Sequence, residues 1–205
     1  MEKIAKQLLD LEIVKLRPNK PFIWASGWKS PIYCNNREAL FYPELRKEIV
    51  QGMSNIIRCK YEPDMIVGVS TGAIAWGALV AESMNLPYAS VRPEAKDHGM
   101  GGRIDGKVPA GAKVVVAEDL ISTGGSSLKV VSALREQKAE VCGMVAIFTY
   151  QFPQAEQAFS RAECSLSTLT NYTELTNVAF ACGDFGEEER RLLAAWRESP
   201  DKWGV

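Results

Sequence analysis

The chain has 205 residues, 46% of them hydrophobic and 24% charged, the proportions of an ordinary globular protein of one large domain. Lys and Arg total 24 against 25 Asp and Glu, a formal charge of −1. That excludes the basic excess of a general nucleic-acid binder but allows a local cation cluster facing a small anion. No apolar run approaches the roughly 18 residues of a membrane span.

The first sixteen residues, MEKIAKQLLDLEIVKL, scatter charges among apolar residues, unlike a signal peptide, and read as an amphipathic helix. Residues 14–42 are irregular, with strand-like pieces. From Pro43 to Lys60, Leu45, Ile49, Met53 and Ile56/Ile57 recur at helical spacing, with Pro43 suited to a first turn. An alternation then begins: strand 64–69, helix 71–84, strand 86–92, a long polar glycine-rich connection over 93–112, strand 113–119 and helix 124–138. Strand 140–150, a helix near 153–162, strand 164–170 and helices near 172–182 and 186–198 complete it. Continuous Val/Ile runs between helices predict an α/β fold with a parallel sheet covered on both faces. Ligands in such sheets sit beyond the carboxyl ends of the strands. The five cysteines, Cys34, Cys59, Cys142, Cys164 and Cys182, are odd in number and form no CxxC. This fits a reducing cytoplasm better than a disulfide framework or a zinc site.

The most informative segment is VVVAEDLISTGGSS, residues 114–127. A buried strand ends in Glu118 and Asp119, and a short turn of Leu120 and Ile121 leads to Ser122, Thr123, Gly124, Gly125, Ser126 and Ser127 at a helix start. Glycines let the backbone approach an anion, and a helix start offers unpaired N–H groups. The hydroxyls of Thr123, Ser126 and Ser127 add donors. A serine-glycine turn can merely cap a helix, but two acids beside it suit ribose hydroxyls and a divalent cation. The segment therefore reads as a ribose-5-phosphate site. It lacks the Gly-Lys-Ser/Thr of a P-loop and the GxGxxG of a dinucleotide fold.

This segment resembles the phosphoribosyl diphosphate (PRPP) signature of the type I phosphoribosyltransferases, in which an aliphatic run, two acids and two aliphatics precede a Thr-Gly-Gly-Ser loop. The resemblance implies that family's parallel sheet flanked by helices, with a small N-terminal hood, as one domain over 1–205 (hood about 1–42, core about 43–205). It implies PRPP contacts from Glu118, Asp119, Leu120, Ile121, Ser122, Thr123, Gly124, Gly125 and Ser126. It also implies Mg²⁺ as cofactor, held mainly through PRPP near Asp119.

A second segment, SVRPEAKDHGMGGRIDG (90–106), holds Arg92, Lys96 and the only histidine, His98. On its own it reads as a solvated loop, because Glu94, Asp97 and Asp105 balance its cations; a lid that neutralises a leaving pyrophosphate is the other reading. Its R-x-x-x-K-D-H-G pattern is similar to the catalytic loop of the orotate phosphoribosyltransferase family. That likeness implies Arg92, Lys96 and His98 as catalytic, pyrophosphate-facing residues, lent to the neighbouring subunit of a homodimer. Pro93 stands where many relatives carry a lysine. A third segment, FIWASGWKSPIYCNNR (22–37), is similar to the same family's Phe-x-x-x-SG-x-x-SP-x-Tyr hood, through Ser26, Gly27, Ser30, Pro31 and Tyr33. Ala25 replaces a lysine found in some relatives, and no arginine occurs at 148–153 to meet the base. Tyr33 and Ser122 are the implied orotate contacts. GVSTG (68–72) resembles the family's pyrophosphate loop, with Thr71 where a lysine is common. Trp76, Trp196 and Trp203 read as packing residues. The implied activity is transfer of ribose 5-phosphate from PRPP to orotate in the cytoplasm, without nucleic acid or membrane. A purine transferase and a non-enzymatic PRPP-binding regulator are the rivals.

Overall fold

The computed structural model describes residues 2–24, 26–94, 102–183 and 185–204. The chain opens with helix α1 (Glu2–Asp10) and strands β1 (Val14–Leu16), β2 (Phe22–Ile23), β3 (Lys29–Ser30) and β4 (Ile32–Cys34). A 3₁₀ turn (Asn36–Phe41) leads into α2 (Pro43–Lys60). Then come β5 (Met65–Val69), α3 (Ile74–Met84), β6 (Tyr88–Val91), β7 (Ile104–Asp105), β8 (Lys113–Ile121) and α4 (Gly125–Glu136). The remainder is β9 (Glu140–Thr149), α5 (Pro153–Arg161), β10 (Leu166–Asn171), α6 (Tyr172–Ala181) and α7 (Glu187–Glu198).

The main sheet has six strands in the order β10–β9–β8–β5–β6–β7. The first five run parallel, with Val67 of β5 opposite both Ala89 of β6 and Val116 of β8. Every residue of β5 is buried, which requires cover on both faces. Helix α2 packs across β9 and β10, α3 across β5 and β6, and α4 across β8 and β9. The α/β class with a mostly parallel, helix-flanked sheet is the one expected. Among the described residues no helix is long and apolar enough to cross a membrane.

The structure departs from the sequence reading in five places. The first helix stops at Asp10, because Glu12 adopts a left-handed φ of 53° and the β-branched pair Ile13–Val14 turns the chain into β1. β1 pairs antiparallel with β4, and β2 with β3, so the irregular stretch is two small hairpin-like sheets. The helix after β5 begins at Ile74 rather than residue 71, since Ser70–Ala73 form a loop with a cis Ser70–Thr71 peptide. The long connection contains β7, antiparallel to β6 through Ser90–Asp105 and Val91–Ile104. Finally, β8 runs on past the acids to Ile121, paired with β9 as far as Thr149.

Candidate active site

β5 leads through α3 to β6 on one side, while its other neighbour, β8, leads through α4 to β9 on the opposite side. The carboxyl ends of β5 and β8 therefore border a crevice at the point where the strand order reverses. Two loops meet there. One is Ser70–Ala73, tied down by the Ser70 N–H on the Val91 carbonyl at 2.9 Å and the Ala73 N–H on the Val69 carbonyl at 3.0 Å. The other runs from Ser122 to Gly124 into α4. The first loop touches the acid pair: a Cβ on Gly72 would lie 2.3 Å from Oδ2 of Asp119, so only glycine permits this approach.

Gly124 occupies the N-cap of α4 at φ 81°, and no side chain caps that helix. The N–H groups of its first turn are thus left for an anion, at the positive end of the helix dipole. Ser127 behaves differently from expectation. It is buried and its hydroxyl donates to Oε2 of Glu118 at 2.7 Å, so it braces the acid instead of facing the loop's mouth.

The acids differ in setting. Glu118 is 4% exposed and also accepts the Asp119 N–H on Oε1 at 2.9 Å. Burial, followed by the charge of Asp119 beside it, holds the Glu118 carboxyl well above its ordinary value of 4.5. Asp119 is the partly exposed member. Its backbone carbonyl accepts from Nδ2 of Asn36 at 2.6 Å, which pins the 3₁₀ turn to the end of β8. The raised Glu118 carboxyl has a consequence for stability. The folded state takes up this proton at a higher pH than the unfolded state, so stability falls as pH rises from about 4.5 towards the raised value. Glu118→Gln should flatten this dependence in thermal melts of the ligand-free protein across pH 4.5–8. A slope equal to wild type would contradict the assignment.

Beside the acids lies a cavity of 280 Å³ lined by Ile23, Trp24, Tyr33, Cys34, Leu120, Ser122 and Tyr150. The segment carrying β2 to β4 supplies the first four and the ends of β8 and β9 the rest. Tyr150 packs on Trp24 with centroids 5.1 Å apart, and Trp196 meets Trp24 and Tyr150 edge-on at 5.7 and 5.5 Å. Such aromatic pairs add about 0.5–1.5 kcal/mol each beyond their buried area. They give the cavity a rigid flat wall, suited to a planar heterocycle.

Tyr33 and Ser122, the expected base contacts, thus share one cavity, and Leu120 joins them. Ile121 is wholly buried. Arg92 follows β6, its Nη2 pairs with Oδ2 of Asp105 at 2.5 Å, and its N–H bonds the Arg103 carbonyl at 2.8 Å. Lys96 and His98 lie outside the described residues, as does Ala25. Glu94, at the near end of that connection, pairs with Lys129 of α4 at 2.9 Å, and the Lys129 ammonium lowers its carboxyl. Trp76 and Trp196 are buried in the core as expected, and Trp203 packs against it. Sequence reasoning missed Trp24, Cys34, Asn36 and Tyr150. Trp24 and Cys34 stood inside the hood segment, where only the pattern-matching residues drew notice. Among the described residues no three His, Cys, Asp or Glu side chains converge to cage a metal.

A model of the phosphoribosyl transferase domain matches residues 39–178, which span the parallel sheet and both crevice loops. The fold and the site together define a phosphoribosyltransferase. The chain is 51% identical over 205 residues to the orotate phosphoribosyltransferase of Phocaeicola vulgatus, covering 99% of this chain and 97% of that one. It is 48% identical over 203 residues to that of Porphyromonas gingivalis, with coverage of 98% and 97%. The crystal structure of orotate phosphoribosyltransferase from Aeropyrum pernix superposes with a TM-score of 0.76 at 26% identity, covering 89% of this chain and 99% of that one. The chain belongs to the orotate phosphoribosyltransferase family.

Proposed function

We infer that the chain transfers ribose 5-phosphate from PRPP to orotate, giving orotidine 5′-monophosphate and pyrophosphate, a step of pyrimidine nucleotide synthesis. The carrying observation is a juxtaposition: an uncapped helix start beyond an acid pair, Glu118 buried and Asp119 partly exposed, opens next to a flat-walled aromatic cavity. A phosphorylated sugar and a planar base placed in these two sites meet across Asp119 and Ser122. Relatives matching nearly the whole chain carry the orotate phosphoribosyltransferase name.

In this reading the amides and hydroxyls of Ser122–Ser126 anchor the 5-phosphate. Asp119 accepts from the ribose hydroxyls, with Glu118 fixed behind it by Ser127. The Ser70–Ala73 loop offers backbone donors to the pyrophosphate. Arg92, Lys96 and His98 neutralise charge as the C1–O bond lengthens, the last two carried by the loop, which in a homodimer reaches the neighbouring site. Orotate N1 attacks as an already deprotonated nitrogen, so no strong protein base is needed. A single partly exposed carboxylate at the crevice, with no three-ligand cage among the described residues, fits an ion bound through substrate oxygens rather than by the protein alone. Such a Mg²⁺, near Asp119, would offset the diphosphate charge. Five free thiols are consistent with a cytoplasmic location.

The test follows orotate's ultraviolet absorbance after addition of PRPP and Mg²⁺, beside parallel reactions with adenine and guanine. Consumption of orotate alone is expected. Purine turnover without orotate turnover would replace this reading with the purine one, and no turnover of any base would favour a PRPP-binding regulator.

A further inference from the structure

The base cavity contains a polar group that the acid pair and the phosphate loop leave unused. Tyr150 directly follows β9 and is only 2% exposed. Its ring is enclosed by Trp24 at 5.1 Å, Phe148 at 5.3 Å, Phe152 at 5.4 Å and Trp196 at 5.5 Å. Phe148 and Trp196 meet it nearly edge-on, at 83° and 87°. The chain just beyond is fastened as well. Gln151 adopts a left-handed φ of 56°, and its Oε1 accepts from the Thr173 N–H at 3.0 Å and the Thr173 hydroxyl at 2.7 Å. Arg197 of α7 donates to that hydroxyl at 2.8 Å. The ring is therefore held in one position, and its hydroxyl with it.

Among the described residues that hydroxyl has no hydrogen-bond partner, and Tyr150 lines the cavity, where a bound molecule can supply one. The neighbouring donors are differently placed. The Trp24 indole N–H is committed to the Ile32 carbonyl at 3.2 Å, and the Cys34 thiol to Oδ1 of Asn36 at 3.3 Å. Of the uncommitted hydroxyls around the cavity, Tyr33 is 42% exposed, which leaves Tyr150 as the deeply buried one beside Ser122. No cation lines the cavity among the described residues. Burial, with Cys34, Tyr33 and Asp119 adding to it, pushes the Tyr150 phenol well above its usual range, so it keeps its proton and donates.

We propose that Tyr150 is the specificity-determining donor of the base pocket, its immobilised hydroxyl hydrogen-bonding an oxygen of the pyrimidine substrate. The inference rests on the orotate reading and adds to it. The pocket selects its base with a neutral, preorganised donor in a dry aromatic setting, where a missing partner is costly to either side. Selection by a neutral donor also avoids placing a cation beside Asp119, where it would compete with the sugar-phosphate for that carboxylate.

The test compares wild-type protein with Tyr150→Phe, which keeps the ring and its four aromatic contacts. Orotate KM, PRPP KM, kcat and melting temperature are measured on both. The expected result is an orotate KM raised at least about fivefold, with PRPP KM and melting temperature unchanged. A smaller rise in orotate KM, or a parallel rise in PRPP KM, overturns the assignment while leaving the orotate reading intact. Failure of the wild-type protein to turn over orotate removes both together.

Discussion

Gly72→Ala should lower kcat/KM for PRPP by roughly a hundredfold while leaving the melting temperature within a few degrees of wild type. The methyl group would lie 2.3 Å from Oδ2 and 2.5 Å from both Cγ and Oδ1 of Asp119. A methyl carbon cannot sit that close to non-bonded heavy atoms, so either the loop or the carboxylate moves. The loop is tied to Val91 and Val69 through its backbone. Asp119 is confined by Glu118 and by the hold of Asn36 on its carbonyl. Whichever yields, the carboxylate proposed to hold the sugar and the backbone donors proposed to hold the pyrophosphate lose their mutual register, and displacements of about 1 Å suffice for losses of this size. The contact lies at the edge of the crevice and not in the hydrophobic core, which is why stability should change little. Steady-state kinetics with PRPP varied at saturating orotate, together with a thermal melt, checks both halves. Wild-type kinetics would mean that the Gly72–Asp119 contact has no part in binding.

Gly124→Ala should raise the KM for PRPP about tenfold and lower the melting temperature by several degrees. Two costs combine at this position. A φ of 81° is strained for any side chain, by about 1–2 kcal/mol. A Cβ would also meet Cε2 of Phe159 at 2.8 Å and Cδ2 at 3.3 Å. Phe159 is buried in α5 and cannot swing aside, so the phosphate loop must shift outward from its helix start. The double variant with Phe159→Leu separates the two costs. It should recover part of the PRPP affinity by relieving the contact, while the φ strain remains. A fall in melting temperature with unchanged PRPP KM would place the phosphate elsewhere.

Much of this was legible in the sequence because its determinants are local. Buried parallel strands reveal themselves as unbroken Val/Ile runs, and VVVA followed by two acids and a glycine pair marks both a strand end and a helix start. What escaped depends on contacts between distant segments. Trp24 and Tyr150 pack together in the cavity wall only because the segment carrying β2 lies against the ends of β8 and β9. Seen alone, an aromatic at the end of the apolar run VCGMVAIFTY is indistinguishable from core. Two-residue β7 is too short to carry a period, and it is fixed instead by its register with β6 and by the Arg92–Asp105 pair. The left-handed turn at Glu12 that ends α1 has no glycine to announce it. The direction of Ser127 is set by the helical rotation of α4, which turns it inward to Glu118 while earlier loop residues face out.

The most direct measurement is a crystal structure of the protein soaked with orotidine 5′-monophosphate. The phosphate should rest on the amides of Ser122–Ser126, the ribose hydroxyls against Asp119, and the pyrimidine ring between Tyr33 and Tyr150. A nucleotide bound away from the crevice between β5 and β8, with that crevice empty, would contradict the account.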